Sequence, residues 1–203
     1  MKDNNSKKKL FVVIGVVLVV VVMIGVADVA VNSGFSPVNH IRLAVVPAQD
    51  VKNYTGLPAI LDVVHFNQSD LPFAMVYLSV SSGIVGEYHM SGNATNVNAV
   101  LQIYSIELQN GTGAKQLFDT AWNQYNMSAM IMGGYTPHSN GTYRGFRFFV
   151  GSVPYQDAGQ SGVSYESVGF NGQYVFAIVF IDLGSTGPSP GFPQAEINAM
   201  LGA

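Results

Sequence analysis

The sequence predicts an α+β protein in which an N-terminal transmembrane helix precedes one β-rich domain, an antiparallel sheet with one or two helices packed on a face. Three observations carry this expectation. Leu10 to Ala27 holds no charged residue in eighteen positions. Downstream, runs rich in Val, Ile, Tyr and Phe with partial period-two alternation recur between Gly, Asn and Pro. Among these runs stands one long segment of helical periodicity, Ala114 to Met127.

The chain divides into a basic tail at residues 1–9, a hydrophobic segment at 10–31, a linker at 32–39 and the β-rich domain at 40–203. Leu10 to Ile24 is almost wholly aliphatic, and its extension through Asp28 to Val31 reaches about 30 Å as a helix, enough to cross a bilayer. Lys7, Lys8 and Lys9 stand directly before it, and the positive-inside rule keeps such a cluster cytoplasmic and places the C-terminal part outside. Gly25-Val26-Ala27 also offers the small residues that a signal peptidase reads, so a retained anchor and a cleaved signal both remain open; either leaves the domain outside. The linker contains Asn32-Ser33-Gly34 and Ser36-Pro37.

Within the domain, His40–Val46 is expected as a first strand and Gln49–Tyr54 as a short helix stopped by Gly56. Strands are then expected at Ile60–Phe66, Phe73–Ser81, Ile84–Met90 and Val97–Leu108. Asn110-Gly111 closes the last of these and leads into the Ala114–Met127 helix, where Leu117, Phe118, Ala121 and Tyr125 share one apolar face with Trp122 on its border. The β pattern resumes at Tyr143–Val150. The strongest hairpin signal follows, in which Val168-Gly169-Phe170, an Asn171-Gly172 turn and Tyr174–Asp182 supply a buried central strand. A Gly184–Pro193 loop precedes a C-terminal helix at Gln194–Leu201.

From Leu10 onward five Lys and Arg are set against eleven Asp and Glu, a formal charge of −6. Nucleic acid is therefore not an expected partner, because phosphate recognition needs clustered basic residues. The chain has no cysteine, which removes thiolate metal sites, thiol catalysis and disulfides together.

Six Asn-x-Ser/Thr sequons follow the membrane segment, at Asn53, Asn67, Asn93, Asn110, Asn126 and Asn140, none with a central proline. A seventh at Asn4 lies on the expected cytoplasmic side. Asn110 and Asn140 belong to Asn-Gly pairs, which favour tight turns where a bulky glycan attaches without disturbing packing. A cysteine-free exported chain rich in Tyr, Asn and sequons resembles archaeal cell-surface proteins in composition, with no family motif involved.

No phosphate-binding loop, dinucleotide fingerprint, H-E-x-x-H or G-x-S-x-G motif is present, and the scattered acidic residues give no catalytic pair. No catalytic, cofactor or metal site is therefore assigned. The sharpest metal candidate is copper on His89-Met90 or Met130-x-Met132, with His40, His65, His138, Met75 and Met127 as further donors, but no two histidines stand at ligand spacing. His65, in an apolar strand, reads as a hydrogen-bonded structural residue. Arg144 and Arg147 lie three apart in a strand-like segment and so point to opposite faces, one of them expected to serve a structural carboxylate.

The function expected from these features is that of a membrane-anchored, glycosylated cell-surface protein with a non-enzymatic structural or interaction role in the envelope, including self-assembly. The alternative is an extracytoplasmic sensor or small-ligand domain with a cleft lined by Tyr and Trp122. A lesser variant is a secreted filament or surface-layer subunit whose arm, Asp28–Asn39, adds to a neighbour's sheet edge.

Overall fold

The computed structural model describes residues 41–70, 79–93, 96–132, 136–157, 160–182 and 191–203. The expected membrane segment, the linker, His40, most of the Phe73–Ser81 run and most of the Gly184–Pro193 loop lie outside them. No described helix is long and apolar enough to cross a membrane.

The elements follow the order α1 (Ala48–Thr55), β1 (Ala59–Phe66), β2 (Val80–Asn93), β3 (Asn96–Leu108), α2 (Gly111–Met132), β4 (Thr136–Tyr143), β5 (Phe146–Asp157), β6 (Gln160–Asn171), β7 (Tyr174–Asp182) and α3 (Phe192–Leu201). The seven strands form one sheet in the order β1-β2-β3-β7-β6-β5-β4, and every neighbouring pair is antiparallel. The chain builds β1 to β3 from one edge to the centre, crosses to the far edge, and returns through β4 to β7, which closes beside β3. That crossing spans four strand spacings, about 19 Å. The 22 residues of α2, about 33 Å of helix, bridge it with length to spare.

Helices cover both faces of the sheet, where the sequence predicts one. Ala114, Leu117, Phe118 and Ala121 of α2 pack on Tyr104, Ile106, Phe149, Val168, Phe170 and Val175. Val51 of α1 and Phe192, Ile197 and Met200 of α3 pack on Tyr88, Leu101, Ile103, Phe176, Ile178 and Phe180 from the other side. The cause is that β3 and β7 bury residues of both parities, Ile103 with Tyr104 and Val175 with Phe176, so each face of the central strands needs a cover. Each fully buried aliphatic or aromatic side chain contributes about 1.5–3 kcal/mol, and Phe118, its ring centroid 5.5 Å from that of Phe149 and 5.0 Å from that of Phe170, centres the α2 side.

The short helix before β1, the Val97–Leu108 strand, the Asn171-Gly172 turn with Gly172 at φ +56°, and the C-terminal helix stand where the sequence places them. Gly56 ends α1 in the left-handed conformation, its N–H donating to the Lys52 carbonyl.

Three expectations are corrected. Residues 41–47 belong to no strand. This apolar segment lies along α3, with Arg42 N–H donating to the Met200 carbonyl at 2.9 Å, so its Val45 and Val46 serve packing and not a ladder. The Tyr143–Val150 run is interrupted: Arg144 (φ +47°) and Gly145 (φ +85°) turn the chain between β4 and β5. Arg144 tolerates the left-handed conformation because its guanidinium donates to Asn198 Oδ1 at 3.0 Å and lies over the Tyr143 ring. Asn140-Gly141, predicted as a turn, is inside β4 opposite Phe149 and Phe148.

Candidate functional site

A row of side chains crosses the α2 face of the sheet. Pairing brings Asp62, Glu87, Gln102, Val179, Glu166 and Gly151 side by side on β1, β2, β3, β7, β6 and β5. Tyr104 O–H donates to Gln102 Oε1 at 3.0 Å, and Gln102 Nε2 donates to Glu87 Oε1 at 3.0 Å. Burial pushes the Tyr104 hydroxyl above its ordinary range, with the Glu87 charge adding to the effect. Two residues along β2 from Glu87, His89 Nε2 lies 3.5 Å from Asp62 Oδ2 of β1, both largely exposed.

Glu166 occupies the apolar end of this row. Burial between Val168 and Val179 pushes its carboxyl up to about 7, and Ser164 Oγ donates to its Oε1 at 3.3 Å. Three strand spacings separate Glu166 from Glu87, about 14 Å, which is beyond the separation at which two carboxyls act on one glycosidic bond.

On the opposite face Glu196 of α3 is fully buried and held well above the usual carboxylate range by desolvation, an effect that the Val46 hydrogen bond opposes. Val46 N–H donates to Glu196 Oε2 at 3.1 Å, and Tyr88 O–H donates to the Val46 carbonyl. Glu196 Oε1 has no hydrogen-bond partner among the described residues. This cluster clasps segment 41–47 to α3, and it is a residue set that the sequence did not single out; the signal was a lone acidic residue on an otherwise uncharged helix.

Of the candidate copper donors, the described pair His89 and Met90 does not converge. His89 and Met90 point to opposite faces of β2, and Met90 is buried in the core. His65 is exposed on edge strand β1, not a buried structural histidine. Among the described residues no group of three His, Cys, Asp or Glu is placed to hold a metal ion. His40 and Met75, and the side chains of Met127, Met130, Met132 and His138, lie outside the described residues. Among the described residues neither arginine is paired with a carboxylate: Arg144 binds Asn198, and Arg147 lies 5.1 Å over the Phe118 ring. Trp122 packs on Phe149, with centroids 5.3 Å apart, as part of the core edge.

Four sequon asparagines have described side chains, and all four are exposed: Asn53 on α1, Asn67 after β1, Asn110 before α2 and Asn140 on edge strand β4. Asn110 Oδ1 accepts from Gly113 N–H at 2.8 Å and so caps α2. Asn67 Oδ1 accepts from both the N–H and the hydroxyl of Ser69, at 2.8 and 2.6 Å. Asn53 Oδ1 accepts from Gln49 Nε2 at 3.3 Å. In these three exposed residues the local hydrogen bond engages the carbonyl oxygen and not Nδ2, the atom a glycan takes. Asn93 ends β2 and Asn126 lies within α2; their side chains are outside the described residues.

The chain matches no family model and no curated protein. Among solved structures it is similar to the extracellular domain of PknH from Mycobacterium tuberculosis, at 10% sequence identity and a TM-score of 0.47, over 77% of this chain and 90% of that one.

Proposed function

We propose that this chain is a cell-surface protein in which residues 10–31 anchor, in the membrane, an N-glycosylated extracytoplasmic domain with a non-enzymatic structural or interaction role. The observation that carries the reading is the placement of the sequons. Four of four describable asparagines are exposed, distributed over two helix ends, a turn and an edge strand, and at Asn53, Asn67 and Asn110 the local hydrogen bond is taken by Oδ1 and not by Nδ2. Glycosylation at these positions displaces no core side chain. The asymmetry of charge supports the orientation: four lysines precede the hydrophobic segment, and the chain from Leu10 onward carries a net −6.

The test is mass spectrometry of the protein purified from its host, which reports the mature N-terminus and glycan mass at each site, combined with protease treatment of intact cells. Glycan at Asn67 and Asn110 together with cleavage of the domain supports the reading. Bare asparagines on a protease-protected domain overturn it.

A further inference from the structure

The two edges of the sheet are built differently. On β4, Pro137 has no N–H to offer, the register shifts between Pro137 and Ser139, and Asn140 of a sequon is exposed. Proline and a bulge each break the ladder that an incoming strand would need, with or without a glycan beside them. On β1 all eight residues pair with β2 in unbroken register, and none is Pro, Gly, Lys or Arg. The strand also carries most of the exposed large hydrophobics found among the described residues: Ile60 (70%), Val63 (46%) and Val64 (37%). Strand alternation puts Ile60 and Val64 on the α2 face and Val63 on the other, so apolar surface flanks this edge above and below. A single packed helix would cover only one side. An added strand covers both.

We propose that β1 pairs antiparallel with β1 of a second copy of this chain, about a two-fold axis normal to the sheet, joining two sheets of seven strands into one. This goes beyond the surface role argued above and does not depend on it. Symmetry narrows the register. An axis normal to the sheet keeps every side chain on its own face, so the axis must pass through a residue and not between two. Centring on Asp62 sets carboxylate against carboxylate, which is unfavourable. Centring on Val63 aligns residues 60–66 and sets Val63 against Val63, Asp62 against Val64, Leu61 against His65 and Ile60 against Phe66, with no like charges facing. The strand is self-complementary at that register.

The chain has no cysteine, so an introduced one is its single thiol. Val63→Cys places two thiols opposite each other with Cα atoms about 4.5–5.5 Å apart, within disulfide range. The full chain in mild detergent, carrying Val63→Cys or, as control, Gln116→Cys on the exposed side of α2, is oxidised gently and run on non-reducing gels. At least ten-fold faster dimer formation by Val63→Cys is expected, and equal rates overturn the proposal. Unmodified chain and the Val63→Lys variant are compared by analytical ultracentrifugation, because opposed lysines on the axis repel. A dimer that reverts to monomer in Val63→Lys is expected. A dimer that survives the substitution, or an unmodified chain that is monomeric, overturns it; matching circular dichroism of the variant excludes unfolding as the cause.

Discussion

Gly169 on β6 lies directly opposite Phe176 on β7, and a Cβ at Gly169 would fall 2.4 Å from Cε1 of the Phe176 ring and 2.9 Å from Phe148 Cβ. The ring therefore lies across the bare glycine backbone. Gly83 and Phe66 repeat the arrangement between β2 and β1 on the opposite face. Phe176 is fully buried under α1 and α3 and has no room to retreat. Gly169→Ala is expected to destabilise the protein by about 1–3 kcal/mol through overpacking, read as a lower thermal midpoint of the full chain. Gly83→Ala is expected to cost less, because Phe66 is only partly buried and its ring can swing outward.

Glu166 makes stability depend on pH in a defined direction. Its folded pKa is raised from 4.5 to about 7, so the folded state holds a proton that the unfolded chain gives up across this interval. The stabilisation is complete below about pH 4.5 and is lost as pH rises through about 7, by up to about 3 kcal/mol. In Glu166→Gln this loss is expected to disappear, so the difference in unfolding free energy between variant and parent should grow from pH 4.5 to 7. Denaturant titrations at intervals of pH measure it.

The Val46 peptide is held from two sides, by Glu196 at its N–H and by Tyr88 at its carbonyl. Tyr88→Phe leaves a buried carbonyl without its donor and is expected to cost about 1–3 kcal/mol. Glu196→Ala removes the acceptor and should cost a similar amount. Glu196→Gln keeps an oxygen for Val46 and has no proton to lose. Because the Glu196 pKa is raised, it weakens the parent as pH climbs from 4.5 through the folded pKa, a contribution that the Gln variant lacks. The Tyr88→Phe and Glu196→Ala losses should not add, since either frees the same segment. A double-mutant cycle by chemical unfolding checks this.

Which parts of this fold were legible in sequence follows from where their information lies. The β6–β7 hairpin was readable because Asn171-Gly172 sets the turn locally and Tyr174–Ile181 is apolar at both parities. The hairpin at Arg144-Gly145 was not, because what stabilises a left-handed arginine there is Asn198, far along the chain. Segment 41–47 has the composition of a strand, but its hydrogen bonds go to Met200 and Glu196, which no local pattern announces. The polar row from Asp62 to Glu166 was invisible for the same reason: its members are scattered along the chain and meet only through register. The four exposed asparagines needed no tertiary knowledge beyond their sequons, although the role of Asn110 as helix cap did.

At Asn110 capping and modification share one side chain but use different atoms. Oδ1 accepts the Gly113 N–H, and a glycan would bond Nδ2. The two roles are therefore separable by substitution. Asn110→Ala removes both and is expected to cost about 0.5–2 kcal/mol through loss of the cap. Asn110→Asp keeps an oxygen for Gly113 and adds a negative charge at the helix N-terminus, so it should retain stability while carrying no glycan. Thr112→Ala keeps Asn110 and its cap and destroys the sequon. Produced in the native host, Asn110→Asp and Thr112→Ala should both lose one glycan mass from the intact protein, yet unfold close to the parent, whereas Asn110→Ala loses the mass and the stability together. Equal destabilisation in all three would mean that the sugar, and not the Oδ1 contact, holds the start of α2.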